Sequence, residues 1–150
     1  MDEIIHYLQM GIYPTLNNTR YVLAEFFPNA SKKAIEYCLH RLIEAEYIPV
    51  LAHAERYHNF DLESADRLHR EGVLIQMNVY SVREESYDRI KKRVRKLLDR
   101  HLVDFAGSDA HGMQHRPPSY TPGMEYMYGN YEPTYVDKIL QDNAVTLLHA

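Results

Sequence analysis

Short apolar segments alternate along this chain with longer stretches in which apolar residues recur at helical spacing. Four segments have strand character, because each is nearly continuously apolar and is followed by turn residues: residues 21–27, 48–54, 73–80 and 103–110. Continuous apolar character, rather than strict alternation, is typical of strands covered on both faces. The order of elements therefore predicts an α/β fold with mainly parallel strands and outer helices.

Amphipathic helices are predicted over residues 31–46, 61–71, 82–101 and 134–149. The second has Asp61 in a capping position, and the third opens with Ser81 and Glu84 in capping-box spacing. The segment 112–133 is rich in Pro, Gly and Tyr and is predicted to be a loop. No linker divides the chain, so residues 1–150 are expected to form a single domain.

Composition narrows the class of protein. The chain has 150 residues, 45% of them hydrophobic, and a net charge of -4, which argues against a broadly basic surface for nucleic acid or anionic membranes. The single cysteine, Cys38, lies in the apolar pattern of a predicted helix and fits a packing role in a reducing cytoplasm. No apolar run is long enough for a membrane span, and the start has no signal-peptide pattern.

The basic run KKRVRK, residues 91–96, admits two interpretations. It could contact nucleic acid, or it could be the solvated face of an amphipathic helix. The second is favoured, because the apolar stripe continues through the run and Glu84, Glu85 and Asp88 lie close by.

Candidate chemistry lies where the predicted strands end. Glu25 interrupts the first strand, His53 and Glu55 close the second, and Asp109 and His111 close the fourth. The carboxyl ends of parallel strands share one edge, where ligands bind in such sheets. We therefore expect these side chains to converge.

Carboxylates and neutral imidazoles are typical ligands of Mn, Fe and Zn, and such ions activate water for phosphate-ester hydrolysis. Arg56 and Arg116 add guanidinium groups that bind phosphate through two hydrogen bonds. The pattern thus predicts a metal-dependent hydrolase. Other interpretations stay open: Asp109 could cap a helix, and Glu55 could only brace Arg56 or a histidine. A carboxylate in an apolar strand, as at Glu25, favours a cation partner, because burial without one is costly.

Four segments, in this order and spacing, carry a resemblance to a known family: YVLAEFF, IPVLAHAERY, VLIQMNVYS and DFAGSDAHGMQHRPP. They resemble the polymerase and histidinol phosphatase (PHP) superfamily, and more closely its branch of manganese-dependent bacterial protein-tyrosine phosphatases from capsular and exopolysaccharide gene clusters. The resemblance implies a distorted α/β barrel of PHP type that holds more than one Mn²⁺ ion, with Fe or Zn as alternatives. Its expected partner is a phosphotyrosine protein, a bacterial tyrosine autokinase.

The resemblance also implies roles for individual residues. By position, the metal ligands would be Glu25, His53, Asp109 and His111. Arg56 and Arg116 would hold the substrate phosphate.

One departure concerns the beginning of the chain. The family starts with an H-x-H strand and further ligands that have no counterpart here, so we expect the chain to correspond to the C-terminal part of a barrel. Open sheet edges would then invite formation of a homo-oligomer. Two other functions remain open: a catalytically silent module that acts through association, and a small-molecule phosphatase of the histidinol-phosphate type.

Overall fold

The computed structural model describes residues 1–114 and 117–148 and contains one four-stranded sheet with the order β1-β2-β3-β4. The strands are β1 (Tyr21–Ala24), β2 (Ile48–Leu51), β3 (Leu74–Asn78) and β4 (Phe105–Gly107). All neighbouring pairs are parallel, which confirms the predicted α/β class. Each strand ends earlier than predicted, because the chain leaves the sheet before the polar residues that follow.

Helices flank the sheet and connect its strands. They are α1 (Asp2–Gln9), α2 (Lys32–Glu44), α3 (Leu62–Arg70), α4 (Asp88–Asp99), α5 (Thr121–Asn130), α6 (Pro133–Asp137) and α7 (Asn143–Leu148). A π-helical turn, Lys138–Asp142, joins the last two, and 3₁₀ turns span Leu16–Asn18, Ala54–Arg56 and Val79–Val82. Within the two described ranges, no helix has the length and apolar character needed to cross a membrane.

Two predictions about local structure are wrong. The third helix begins at Asp88 rather than near residue 82, because the Ser81 hydroxyl donates to Glu55 Oε1 at 2.7 Å instead of capping a helix. The predicted loop 112–133 contains α5, which has a proline in its first turn, where proline is tolerated. Gly123 allows this helix to lie against the 3₁₀ turn Val79–Val82, since any Cβ at this position would collide with the backbone of Val79.

The main core lies between the sheet and its helices. Fully buried side chains come from α2, α3, β3 and α4, among them Ile35, Leu39, Leu68, Ile75, Met77, Leu97 and Leu98. Burial of this apolar surface is the main force that holds the layers together. In the described residues β1 is an edge strand, as expected for an open sheet, and Leu23 and Phe27 are 52% and 81% exposed.

The N-terminus of α3 offers a test of the predicted cap. Asp61 accepts hydrogen bonds from the Ser64 backbone N–H at 2.8 Å and from the Ser64 hydroxyl at 2.7 Å, and Lys32 lies 3.1 Å away. We expect Asp61→Ala to lower the free energy of unfolding by about 1 kcal/mol at pH 7, measured by urea denaturation. Asp61→Asn keeps a capping oxygen and serves as the matched control.

The same side chain predicts a pH dependence. The hydrogen bonds from Ser64, followed by the pairing with Lys32, lower the pKa of Asp61 from 3.8 to about 2. Because the folded-state pKa lies below the unfolded one, the stabilisation is present above pH 3.8 and is lost as the pH falls towards 2. The difference between wild type and Asp61→Ala should therefore shrink over that window. A difference that stays constant would contradict this account.

Candidate functional site

The loop between β2 and α3, residues 52–61, is called the β2 loop below, and it carries the predicted residues His53 and Arg56. His53 adopts a left-handed conformation with φ 33°, and the 3₁₀ turn Ala54–Arg56 follows directly. This conformation is costly for a residue with a Cβ, and a hydrogen bond of 2.6 Å from the His53 backbone N–H to Gln76 Oε1 supports it. The turn buries His53 and Glu55 and leaves Arg56 partly exposed.

Glu25 and His53 form the first pair of predicted ligands. Glu25 Oε1 lies 2.9 Å from His53 Nε2, and the two side chains are 68% and 6% exposed. The expectation that Glu25 would be buried within a strand is wrong, because β1 ends one residue earlier and the carboxylate faces solvent. Nδ1 of His53 is buried and has no hydrogen-bond partner among the described residues.

Asp109 and Arg56 meet across the end of β3. Asp109 Oδ2 accepts a hydrogen bond of 3.1 Å from Asn78 Nδ2, and Arg56 Nη1 lies 3.4 Å from the same oxygen. His111 Nδ1 lies 2.8 Å from the Asp109 carbonyl oxygen. Asp109 has φ 52° and precedes no helix directly, so the interpretation of this residue as a helix cap is wrong.

Glu55 braces the end of β3. It is fully buried, and its Oε1 accepts hydrogen bonds from the Asn78 backbone N–H at 3.1 Å and from the Ser81 hydroxyl at 2.7 Å. Burial raises the pKa of this carboxyl. Its hydrogen bonds go to β3 and the following turn, so it connects the β2 loop to the strand that also carries the Asp109 contact.

Gln76 and Asn78 extend these contacts into a hydrogen-bonded path. Gln76 Nε2 donates to Asn78 Oδ1 at 3.3 Å, which directs the amide nitrogen of Asn78 towards Asp109. Gln76 Oε1 also accepts a hydrogen bond from the backbone N–H of His53. The sequence carries a signal for Gln76, because it is a polar residue inside an apolar strand, but its partners lie on other elements.

Arg93 of α4 binds the backbone of the β2 loop. Its Nη1 donates to the carbonyl oxygens of Glu55, at 3.2 Å, and Tyr57, and Nη2 lies 3.5 Å from the carbonyl oxygen of His58. The interpretation of the basic run as a purely solvated face is therefore wrong for this residue. No pattern in the sequence indicates the contact, because a charged residue in a basic run ordinarily faces water.

Tyr57 connects the same loop to β1. It is fully buried, and its hydroxyl accepts a hydrogen bond of 3.1 Å from the Phe26 backbone N–H, just beyond β1. Burial is the main cause that raises the pKa of Tyr57 to about 12, so its phenol stays protonated at neutral pH. Tyr57 thus holds the two loops that carry Glu25 and His53 next to one another.

The structure assembles the predicted residues in part. It pairs Glu25 with His53 and Arg56 with Asp109 and places His111 beside the Asp109 backbone, whereas Arg116 lies outside the described residues. In ranges 1–114 and 117–148, no three His, Cys, Asp or Glu side chains cluster closely enough to hold a metal ion. The donor chemistry nevertheless fits such an ion, since carboxylates lie beside imidazoles and the buried Nδ1 of His53 lacks a partner among the residues that the structure describes.

Known proteins resemble this chain over nearly its whole length. Tyrosine-protein phosphatase CpsB of Streptococcus pneumoniae is 34% identical over 150 residues, which cover 94% of this chain and 61% of the relative. Tyrosine-protein phosphatase CpsB of Streptococcus agalactiae serotype III (strain NEM316) is 28% identical over 154 residues, or 98% of this chain and 63% of the relative. The chain therefore spans about three fifths of the length of these relatives.

A comparison of structures agrees with these matches. The solved structure described as YwqE from Bacillus subtilis and CpsB from Streptococcus pneumoniae, unique metal-dependent tyrosine phosphatases, superposes with a TM-score of 0.82 at 25% identity. The match covers 98% of this chain and 60% of that one. The family model for capsular polysaccharide synthesis, CpsB/CapC, matches residues 1–149. The chain belongs to the CpsB/CapC family.

Proposed function

We propose that this chain is the part of a metal-dependent protein-tyrosine phosphatase that holds phosphate and part of the metal centre. The observation that carries the proposal is the meeting of Arg56 and Asp109, from the loops after β2 and β4, at the carboxyl edge of the sheet. An anion-binding guanidinium beside a metal-binding carboxylate is the combination that phosphate-ester hydrolysis needs. The names of its relatives, tyrosine-protein phosphatases, support the same activity.

Four residues would ligate metal: Glu25, His53, Asp109 and His111. Glu25 and His53 present an oxygen and a nitrogen 2.9 Å apart, whereas Asp109 and His111 follow a different strand, so the two pairs suit more than one ion. We favour Mn²⁺, with Fe and Zn as alternatives that share this ligand preference. When bound, such an ion lowers the pKa of its water towards neutrality and offsets the charge of the phosphate.

Arg56 would bind the phosphate of the substrate. Its side chain is 31% exposed, so the guanidinium reaches solvent while the 3₁₀ turn and Asp109 orient it. Two parallel hydrogen bonds from one guanidinium match the geometry of a phosphoryl group. Arg116, proposed from the sequence resemblance, would add a second guanidinium.

The proposed substrate is a phosphotyrosine protein, and the proposed partner is a bacterial tyrosine autokinase that acts in capsular or exopolysaccharide synthesis. The alternatives are a small-molecule phosphatase and a silent module that acts through association. The two phosphatase functions differ in the substrate that the chain hydrolyses, and the silent module hydrolyses none.

Metal removal and return distinguish them. After treatment with a chelator, we expect the chain to hydrolyse a phosphotyrosine peptide only when Mn²⁺ is returned, and to do so faster than it hydrolyses histidinol phosphate. Addition of Ca²⁺, which prefers all-oxygen sites, is the control. Faster hydrolysis of histidinol phosphate would favour the small-molecule alternative, and Mn²⁺ binding without turnover would favour the silent module.

A further inference from the structure

A basic groove lies between the start of α3 and one face of α4. It has a volume of about 530 Å³, and its lining includes Arg89, Lys92, Arg93 and Lys96. These residues share one helix face, because they are spaced three, four and seven positions apart. We propose that this groove binds an acidic segment of the polypeptide that carries the phosphotyrosine.

The charges of the groove are available to a ligand. Arg89, Lys92 and Lys96 are exposed, and within the described residues no ion pair joins any of them to a carboxylate. The neighbouring cations of α4 differ, since Glu84 pairs with Lys91 at 2.9 Å and with Arg95 at 2.6 Å. On the part of α4 that faces the groove, Arg89, Lys92 and Lys96 thus have no ion-pair partner within residues 1–114 and 117–148.

The two acidic residues in the lining are already engaged elsewhere. Asp61 pairs with Lys32 at 3.1 Å and caps α3, and Asp88 lies 3.4 Å from Lys91. The lining holds four cations against these two carboxylates, so the groove keeps a positive balance in a chain whose net charge is -4. Such a local field attracts an anionic ligand and raises its rate of association.

Arg93 connects the lining of the groove to the β2 loop, which carries Arg56. Its guanidinium donates to the carbonyl oxygens of Glu55 and Tyr57, which lie on either side of Arg56 in the sequence. A substrate peptide whose phosphotyrosine is held at Arg56 would pass this loop to reach the groove. The rise from Arg89 to Lys96 is about 10 Å, which matches about three extended residues of a peptide.

The charge of the whole chain favours a peptide over a lipid surface. The groove lies between α3 and α4, and the chain that carries it has a net charge of -4. A local patch of cations on an acidic protein suits a short acidic segment better than the extended negative surface of a bilayer. This inference rests on the proposed function for the phosphotyrosine, but binding of the acidic segment itself requires no turnover.

The test compares a groove variant with a matched control. Arg89→Gln, Lys92→Gln and Lys96→Gln are combined, and Arg93 is kept because it holds the β2 loop. The control combines Arg20→Gln, Lys33→Gln and Lys138→Gln, which removes one arginine and two lysines at exposed positions elsewhere. Circular dichroism and thermal unfolding check that both variants fold.

Binding is measured by fluorescence anisotropy at about 150 mM salt. The labelled peptides have about 12 residues, one unphosphorylated tyrosine and a run of glutamates on its N-terminal or C-terminal side. We expect the groove variant to bind at least one acidic peptide about tenfold or more weakly than wild type, and the control to change affinity less than about twofold. Equal losses in both variants, or no binding by wild type, would overturn the proposal.

Two further readouts separate the alternatives. The preference in kcat/KM for an acidic over a neutral phosphotyrosine peptide should disappear in the groove variant. A chain that turns over neither peptide would contradict the proposed function, while the binding measurement would still decide the groove. Tighter, groove-dependent binding to vesicles with about 30% anionic lipid than to either peptide would overturn the peptide assignment.

Discussion

Replacing Asp109 with asparagine is expected to lower the proposed Mn²⁺-dependent hydrolysis of phosphotyrosine by at least about 100-fold, since loss of a group that merely supports a ligand already costs 10–100-fold. The carboxylate is central, because Oδ2 accepts a hydrogen bond from Asn78 and lies 3.4 Å from Arg56. Asparagine keeps the size of the side chain and tolerates the left-handed conformation at φ 52°. Asp109→Asn therefore tests the loss of the negative charge alone, whereas Asp109→Ala would also add backbone strain.

Two measurements accompany the assay of Asp109→Asn. Electron paramagnetic resonance of free Mn²⁺ should show weaker binding of the ion, and thermal unfolding should show that the protein still folds. Asp142→Asn, at an exposed position, is the matched control and should leave both turnover and Mn²⁺ binding close to wild type. Unchanged turnover in Asp109→Asn would show that this residue is not a ligand of the proposed metal centre.

The second large effect is expected for Arg56→Lys. We predict that KM for a phosphotyrosine peptide and the inhibition constant for inorganic phosphate both rise about tenfold, a loss of one good charge-assisted contact. Lysine keeps the positive charge beside Asp109 but replaces a planar fork by a point charge, so it cannot make two parallel hydrogen bonds to phosphate. Binding of Mn²⁺ should change much less than binding of phosphate.

Arg100→Lys, at an exposed position after α4, is the control for Arg56→Lys and should leave KM unchanged. The comparison of phosphate inhibition with Mn²⁺ binding distinguishes loss of a phosphate contact from general disruption of the site. An Arg56→Lys protein with wild-type phosphate inhibition would show that this guanidinium does not bind the phosphate.

The candidate site was predictable to the extent that it depends on strand ends. Parallel strands bring their carboxyl ends to one edge, so the sequence alone leads to the expectation that Asp109 and Arg56 lie near one another. The paired position of Glu25 and His53 follows from the same rule. The exposure of Glu25 does not, because it depends on where β1 ends and on what covers its outer edge.

Other contacts could not be predicted from the pattern of the sequence. Ser81 and Glu84 have the spacing of a capping box, yet Ser81 donates to the buried carboxylate of Glu55, and this partner lies 26 positions away. Helix α5 lies in a segment whose composition is typical of loops, and Gly123 lets it pack against the turn after β3. In both cases a distant partner outweighs the local preference.

By itself, the sequence determines the class of fold, the order of elements and the residue types at the strand ends, because these follow from local periodicity and from the shared geometry of parallel strands. The tertiary structure alone decides that Arg93 holds the β2 loop, that Glu55 braces β3 and that the other cations of α4 line a groove. The physical reason is that each of these contacts joins elements far apart in the chain, so the packing of the helices against the sheet sets their partners.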